Sequence, residues 1–408
     1  MAAKTVKTQT FKFKRTINAP PAEVYRAFTN STALREWFCN AAMTDPHKGG
    51  RFYVWWNSGF YAAGEFTALE PSKKVAFTWQ GRGEPGPTRV QVSLAAKNDG
   101  TVVTLAHGGV GTGKPWAKTI KEIEEGWAGS VENLQAVLET GMDLRFTRRP
   151  MLGISGGDEL TPEIGARLGV PVVEGVRLDG VLDDMGAQAA GLQKDDVFIG
   201  LAGKKITGWT SLINVMQAHR AGDTIPVVFY RGKEKLKTAM TLSARPLPEV
   251  PPTPQELAEA VRRNYAELDA ELAKCFAGVS EAEAGHHPAP GEWNTKENLA
   301  HLIVDERDRH AWIDELINGE ERWYDGFAGS IQVRHKAMVS AYPSAPALLE
   351  ELKRHEAETV ALLAALPPEF VARKGSYWRL GHNLLQISRH TREHIGQIRA
   401  AIESARNK

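Results

Sequence analysis

The pattern of apolar and polar positions changes twice along the chain. Residues 8–142 contain short runs in which apolar and polar positions alternate, such as 11–17 and 88–94, and alternation predicts half-buried β-strands. The same segment closes with a run of helical period over residues 116–139, and Gly141 after it is a typical helix C-cap. These patterns predict a β-sheet covered by one long helix.

Residues 147–245 are richer in glycine and contain β-type runs around one or two small helices. Prolines then crowd residues 246–254, a density that excludes helices and central strands, so we expect 246–253 to be a stiff, extended linker. From residue 254 to 406 the period is helical. Four amphipathic stretches favour a four-helix bundle, and they lie near 254–276, 294–318, 345–365 and 383–406.

Length and composition agree with several soluble domains. A chain of 408 residues suggests two or three domains, and 42% hydrophobic with 24% charged residues is ordinary for globular proteins. The net charge of +1 offers no basic excess for phosphates, so we expect no nucleic-acid partner. We also expect no signal peptide and no membrane span, because no apolar run approaches the required length. Cys39 and Cys275 lie far apart, which argues against a disulfide framework and favours a cytoplasmic location.

Histidines in the helical segment form the clearest candidate for chemistry. His390 and His394 are four residues apart, which places both imidazoles on one helix face, and His301 lies on an earlier helical stretch. Three neutral histidines leave a coordination position open, as in catalytic zinc sites. Asp305, one turn after His301, either orients an imidazole, acts as a base on metal-bound water, or is a plain surface carboxylate. A His-x-x-x-His pair alone is also typical of solvated or core histidines.

Tryptophans concentrate in the first segment. Core and sheet packing is one interpretation of this enrichment. The other is that some of them line a pocket for an apolar small molecule. The candidates for such a pocket are Trp37, Trp55, Trp79 and Trp127.

The first segment resembles a known superfamily at residues 17–28, 34–38, 49–52 and 125–134. These stretches are similar to the START-like helix-grip superfamily (SRPBCC), and specifically to bacterial homologues of the activator of the ninety-kilodalton heat-shock protein's ATPase. The resemblance implies a curved antiparallel sheet that grips a C-terminal helix, with a cavity between them. It does not by itself imply chaperone activation, since a fold hosts many functions.

Residues 152–154, 187–198 and 224–232 resemble a PDZ domain of the type found in bacterial high-temperature-requirement proteases. The resemblance implies that a peptide adds a strand to the sheet while backbone N–H groups hold its terminal carboxylate. The alternative is a PDZ fold that serves only as a spacer. By position, the carboxylate loop and the groove-lining helix would comprise Met151, Leu152, Gly153, Ile154, Leu212, Val215 and Met216.

Residues 292–302 and 390–398 resemble the DinB-like superfamily. Its members are four-helix bundles that bind a divalent metal through three histidines, and some are thiol-dependent S-transferases or isomerases. The resemblance implies that His301, His390 and His394 are the ligands. Imidazole donors suit zinc, with nickel or iron as alternatives.

These interpretations combine into a multidomain α+β protein: a helix-grip antiparallel sheet (8–142), a small β-rich PDZ domain (147–245), the linker, and an all-α four-helix bundle (254–406). We expect a cytosolic binding protein for recognition or sensing, which combines an apolar small-ligand cavity, a groove for protein C-termini and a divalent-metal site. A metal-dependent enzyme of the thiol S-transferase or hydrolase type is the first alternative. A co-chaperone-like adaptor without chemistry is the second.

Overall fold

The computed structural model describes residues 7–322 and 331–407. Its contacts divide the chain into two compact units. Unit 1 combines the N-terminal part up to Asp143 with the C-terminal part from Pro248, and unit 2 is Leu144–Leu247. The first sheet and the C-terminal helices therefore belong to one unit, although a whole further unit separates them in the sequence.

A seven-stranded antiparallel sheet forms the N-terminal part of unit 1, with the strand order β1-β7-β6-β5-β4-β3-β2. The strands are β1 (Thr8–Ile17), β2 (Ala41–Thr44), β3 (Arg51–Trp55), β4 (Tyr61–Glu70), β5 (Lys74–Gly81), β6 (Thr88–Lys97) and β7 (Gly100–Gly111). Two short helices, α1 (Pro21–Thr29) and α2 (Ser31–Trp37), connect β1 to β2. After a 3₁₀ turn, α3 (Ala117–Thr140) packs on the sheet.

The burial pattern of α3 explains its position. Ile123, Trp127, Val131 and Leu134 are buried at helical spacing, so one stripe of the helix faces the core. The helix ends at Gly141, whose backbone is left-handed (φ +83°), a conformation that glycine adopts without a Cβ penalty. This arrangement of sheet and following helix confirms the predicted helix-grip type of fold.

Unit 2 is built on a smaller antiparallel sheet with the order β13-β12-β10-β9-β8, with β11 beside β10. Its strands are β8 (Gly157–Glu159), β9 (Val176–Leu178), β10 (Val197–Leu201), β11 (Lys204–Lys205), β12 (Thr224–Arg231) and β13 (Glu234–Thr241). Its helices are α4 (Leu144–Thr147), α5 (Pro162–Leu168), α6 (Gly186–Ala189) and α7 (Trp209–Met216). The strand β8 lies at one end of the order, and among the strands of the described ranges it pairs with β9 alone.

The C-terminal part of unit 1 is helical, as predicted. Its helices are α8 (Pro254–Phe276), α9 (Glu281–Ala284), α10 (Thr295–Asn318), α11 (Ile331–Ala341), α12 (Ala345–Ala364), α13 (Pro368–Val371), α14 (Lys374–Leu384) and α15 (Ile387–Arg406). The long helices α8, α10, α12 and α15 pack on one another. Side-chain oxygens of Thr253, Asn294 and Ser344 accept backbone N–H bonds at the starts of α8, α10 and α12, and such caps fix where a helix begins.

Polar contacts join the two parts of unit 1 where α2 meets α14. The buried carboxylate of Glu36 accepts a hydrogen bond from the Ser376 hydroxyl and pairs with Arg26. Burial raises the pKa of Glu36, while Arg26 and Ser376 oppose that rise. Nearby, Lys374 Nζ donates to the Glu139 carbonyl at 2.7 Å. We call this region the α2–α14 contact.

No helix in the described ranges, 7–322 and 331–407, is both long and apolar enough to cross a lipid bilayer.

Candidate functional site

Three imidazole rings converge between α10 and α15. His301 lies on α10, and His390 and His394 lie one turn apart on α15. The Nε2 atom of His390 is 3.4 Å from Nε2 of His301 and 3.1 Å from Nε2 of His394. Nitrogen ligands 2.0–2.1 Å from a tetrahedral zinc ion lie about 3.4 Å apart. Two of the three nitrogen pairs therefore have the spacing that a single cation requires, and one ligand atom from each of the three rings lies within 4.8 Å of the other two.

Hydrogen bonds fix the proton on the outer nitrogen of His394. Its Nδ1 lies 3.0 Å from Asn298 Oδ1 and 3.0 Å from Gln397 Oε1. The Asn298 amide nitrogen donates to the Asn294 carbonyl at 3.0 Å, which turns the amide oxygen towards the histidine. Because these oxygens can only accept, Nδ1 carries the proton and Nε2 keeps its lone pair for the centre.

Asp305 lies behind His390, away from the point where the rings converge. Its Oδ2 is 3.7 Å from His390 Nδ1 and also accepts a hydrogen bond from Arg309. A carboxylate on the outer nitrogen of a ligand histidine orients the ring and raises its basicity. Of the roles considered from the sequence, this position favours orientation of the imidazole.

The environment of the centre favours neutral imidazoles. Burial, with a smaller contribution from His394, lowers the pKa of His301 to about 4. Burial also lowers the pKa of His394. The outer nitrogen of His301, Nδ1, is buried and has no hydrogen-bond partner in the described part of the chain, so no neighbour holds this ring from behind. Neutral nitrogens with free lone pairs are the donors that divalent transition metals bind, so the residues present fit a metal ion.

Two further rings flank the centre that sequence spacing did not single out. The indole of Trp293 lies 5.0 Å from the His301 ring and stacks on His394 at 6.1 Å, measured between ring centroids. The buried ring of His335 on α11 lies 5.3 Å from His301. Neither residue lies at helical spacing from the ligands. Trp293 falls within the stretch 292–302 that resembles the DinB-like superfamily, whereas no pattern pointed to His335.

A cavity of about 380 Å³ lies in the N-terminal part, between the sheet and α3. Trp79 and Trp127, two of the four predicted tryptophans, line it together with Phe38, Trp56 and His107. Trp37 instead lies in the core, where its Nε1 donates to the Ala27 carbonyl.

Trp55 lies on the face of β3 opposite the buried Phe52 and Val54, because side chains alternate along a strand. Trp56, the next residue, has the same parity as Phe52 and Val54. Parity is therefore the sequence signal that would have selected Trp56 for the cavity instead of Trp55.

A series of buried hydrogen bonds connects residues in the wall of this cavity. Trp127 Nε1 donates to His107 Nδ1 at 2.9 Å, so the proton of His107 is on Nε2. That nitrogen lies 2.7 Å from the Thr88 hydroxyl, which lies 3.2 Å from the Trp79 carbonyl and donates to it. Burial lowers the pKa of His107 to about 4. The imidazole is thus held neutral, and both of its ring nitrogens have a hydrogen-bond partner.

The predicted peptide groove of unit 2 is partly assembled from one core cluster. Leu152, Leu212 and Val215 are buried in it, and Ile154 and Met216 pack against it. Met151 exchanges both backbone hydrogen bonds with Ser243 at 2.9 Å, so its N–H is not free for a ligand.

The loop after Met151 has the backbone features of an anion-binding turn. The carbonyls of Leu152 and Gly153 accept bonds from Ala187 and Leu182. Within the described ranges, none of the residues accepts a hydrogen bond from the N–H groups of Leu152, Gly153 or Ile154. Gly153 has a φ of +83°, and a Cβ there would meet Met185 Cβ at 2.3 Å, so the turn requires glycine.

Three family models match successive segments of the chain. Residues 18–139 match the model described as Activator of Hsp90 ATPase homolog 1-like protein, residues 150–242 match PDZ domain, and residues 264–398 match DinB superfamily. Each match covers less than half of the chain and describes that segment. All three resemblances inferred from the sequence are confirmed.

Solved structures similar to the N-terminal part include CalU16 from Micromonospora echinospora (25% identity, 31% of this chain, 73% of that chain, TM-score 0.26). Another is PFC0360w, an HSP90 activator from Plasmodium falciparum (23% identity, 32% of this chain, 95% of that chain, TM-score 0.28). A third is the Aha1 dimer from Colwellia psychrerythraea (22% identity, 32% of this chain, 96% of that chain, TM-score 0.29). At these TM-scores the likenesses carry no functional argument. Curated proteins give no match to the chain.

Proposed function

We propose that the chain is a cytosolic multidomain binding protein for recognition or sensing. In this proposal His301, His390 and His394 hold a divalent metal ion, the cavity under α3 takes an apolar small molecule, and the groove of unit 2 takes a protein C-terminus. The observation that carries the metal site is that His390 Nε2 lies 3.4 Å from His301 Nε2 and 3.1 Å from His394 Nε2, with ligand atoms of all three rings within 4.8 Å of one another. Zinc suits this donor set, with nickel or iron as alternatives.

The donor chemistry supports a centre with open coordination. Three neutral nitrogens leave at least one position of a tetrahedral ion for an exogenous ligand. When bound, such an ion acts as a Lewis acid on a water or thiol in that position. The protein's own part is to hold the ring of His394 through Asn298 and the ring of His390 through Asp305.

Elemental analysis of purified protein tests the metal site. We expect His394→Ala to contain one equivalent of metal less than the wild type, because a ligand in the centre is lost. His286→Ala is the matched control, since this histidine lies in the same helical part but outside the centre. Equal metal content in His394→Ala and His286→Ala would contradict the proposal.

The groove proposal rests on the N–H groups of Leu152, Gly153 and Ile154, which have no acceptor among the described residues, and on the terminal position of β8 in the sheet. Such groups hold a peptide carboxylate while the peptide pairs with the edge strand. We expect a fluorescent peptide with an apolar C-terminal residue and free carboxylate to bind. The same peptide with a C-terminal amide is the control, and equal binding of the two would count against the carboxylate loop.

A metal-dependent enzyme is the second candidate function, and the three-nitrogen donor set with an open position favours it. Cobalt-substituted protein distinguishes the two candidates. If the open position serves thiol chemistry, adding 2-mercaptoethanol should produce a near-ultraviolet cobalt–thiolate band that is weaker in His394→Ala. An unchanged spectrum would argue against an enzyme of the thiol S-transferase type.

A further inference from the structure

A second cluster of metal-ligating side chains lies on the other side of α10. His310 follows His301 by nine residues, which places it about 13 Å along the axis and on the opposite helix face. There it faces His355 and Glu358 on α12. We propose that His310, His355 and Glu358 form a second divalent-metal site, separate from the three-histidine centre and suited to an ion of the zinc or iron(II) class.

The distances suit a shared cation. Glu358 Oε2 lies 3.7 Å from His310 Nδ1 and 3.6 Å from His355 Nδ1, and the three ligand atoms lie within 4.8 Å of one another. Ligands at 2.0–2.2 Å from one ion are separated by about 3.0–3.5 Å. The Glu358 side chain is 58% exposed, so it can rotate into that range without disturbing the core.

The hydrogen bonds of His310 leave its Nδ1 lone pair pointing into the cluster. Its Nε2 lies 3.1 Å from the His355 carbonyl and 2.8 Å from the Thr359 hydroxyl. A carbonyl only accepts, so Nε2 carries a proton, and in the neutral tautomer Nδ1 keeps its lone pair. The Thr359 hydroxyl in turn donates a hydrogen bond to the buried carboxylate of Glu306 at 2.8 Å. A ligand histidine backed by a hydroxyl and a carboxylate is the outer arrangement that metal sites use.

His355 offers the second nitrogen. Its Nδ1 is buried and has no hydrogen-bond partner in the described part of the chain. Its Nε2 lies 3.2 Å from Glu351 Oε1, and Arg307 Nε donates to it at 3.0 Å. With Arg307 donating to Nε2, the proton of the neutral ring is on Nδ1. Binding a cation at Nδ1 therefore requires the other tautomer, in which Nε2–H donates a hydrogen bond to Glu351 and the bond from Arg307 Nε is lost. Arg307 then keeps its bond to Glu351 through Nη2, at 2.9 Å.

The chemistry and spacing of the donors are those of known metal sites. Two imidazoles and one carboxylate occur in catalytic zinc sites and in non-haem iron(II) sites. His355 and Glu358 are three residues apart, which puts them on one face of α12. Because Glu358 lies on the solvent side, the remaining coordination positions are open to water or to a small ligand.

Stoichiometric titration of the full chain with Co²⁺, after removal of bound metal with a chelator, tests the second site. We expect two equivalents in the wild type, one in Glu358→Gln, one in His394→Ala and none in the double variant. Glu350→Gln is the matched control, since Glu350 lies on the same helix and is 69% exposed. It should retain two equivalents.

Affinities add a second measurement. Loss of the Glu358 ligand should weaken the second site by more than the roughly 10–100-fold that removal of an outer-shell partner costs. Glu358→Gln is a surface change, so circular dichroism should match the wild type. If Glu358→Gln binds cobalt with the same number and affinity as Glu350→Gln, Glu358 is only an ion-pair partner of the histidines and the proposal is overturned. Failure of the three-histidine centre would appear separately, as an unchanged His394→Ala.

Discussion

Three histidines of this molecule, His107, His310 and His394, have their proton positions set by hydrogen-bond neighbours. Trp127 can only donate to His107, and the His355 carbonyl can only accept from His310. At His394 the neighbouring amide oxygen of Asn298 plays the accepting role. Each neighbour leaves one ring nitrogen with a defined task, so the chemistry of a histidine here follows from its partner more than from its spacing in the sequence.

His107 should make stability depend on pH in a defined window. Its folded pKa is about 4 and its unfolded value about 6.5. Between these values the unfolded chain binds the proton and the folded chain does not, so stability falls as the pH falls from about 6.5 to about 4. The loss attributable to this group amounts to about 3 kcal/mol.

Urea unfolding at pH 7 and pH 4.5 measures this effect. We expect His107→Gln to lose less stability on acidification than the wild type, because the substituted side chain does not titrate. His47→Gln, at a side chain that is 64% exposed, should behave like the wild type. Equal acid sensitivity in His107→Gln and the wild type would show that His107 is not the group responsible.

Asp305 should influence metal affinity through His390. We expect Asp305→Asn to weaken metal binding at the three-histidine centre by roughly 10-fold or more, since a carboxylate behind a ligand ring raises its basicity. Asp308→Asn, on the same helix but paired with Arg334, is the control. Competition with a chromophoric chelator gives the affinities, and identical values for the two variants would exclude the orienting role.

At the scale of elements, the end of α3 combines a conformational and a steric requirement. Gly141 is left-handed, and a Cβ there would lie 2.6 Å from the Lys374 carbonyl and 2.7 Å from Trp378 Cβ. Gly278 is also left-handed, at φ +73°, but a Cβ there meets nothing within 4 Å. Alanine substitutions at the two positions therefore distinguish the free-energy cost of a left-handed backbone from the cost of a steric clash with α14.

We expect Gly278→Ala to lower the free energy of unfolding by about 1 kcal/mol, the cost of a left-handed alanine. Gly141→Ala should cost clearly more, because α14 must also move. Chemical denaturation of both variants gives the difference. Equal losses would mean that α14 accommodates the methyl group freely and that the close approach has no energetic weight.

Local elements were predictable because their signals are local. The period of α3, its glycine cap and the spacing of His390 and His394 all lie within a few residues of the feature they specify. The break between α14 and α15 was not predicted, since the apolar pattern continues through Gln386. The packing of α2 on α14 joins residues such as Glu36 and Ser376, which are 340 positions apart. A carboxylate on a short helix gives no sign of such a partner.

For the whole molecule, the α2–α14 contact should make the two parts of unit 1 unfold together. Glu321, beyond the end of α10, lies between the two helices of this contact. It accepts hydrogen bonds from Arg379 on α14 at 2.5 and 2.6 Å and lies 3.1 Å from Arg35 on α2, with its side chain 4% exposed. Removing one partner of a buried pair leaves uncompensated charge. We therefore expect Glu321→Ala to destabilise the protein by about 3 kcal/mol.

Amide hydrogen exchange measured at β5 and at α10 reports the local stability of the N-terminal and the C-terminal part of unit 1, respectively. In Glu321→Ala we expect exchange to accelerate in both elements together. Glu267→Ala, at a side chain that is 69% exposed, should leave both unchanged. Faster exchange confined to the helices would show that the sheet keeps its stability without this contact.

The long separation between Glu36 and Ser376 has a consequence for synthesis on the ribosome. At about 5–20 residues per second, the serine emerges roughly 20–70 s after the glutamate. Throughout that interval the Glu36 carboxylate has Arg26 as a partner but lacks the hydrogen bond from Ser376. The N-terminal part therefore completes its packing only when nearly the whole polypeptide has been made, although it is the first part to be synthesised.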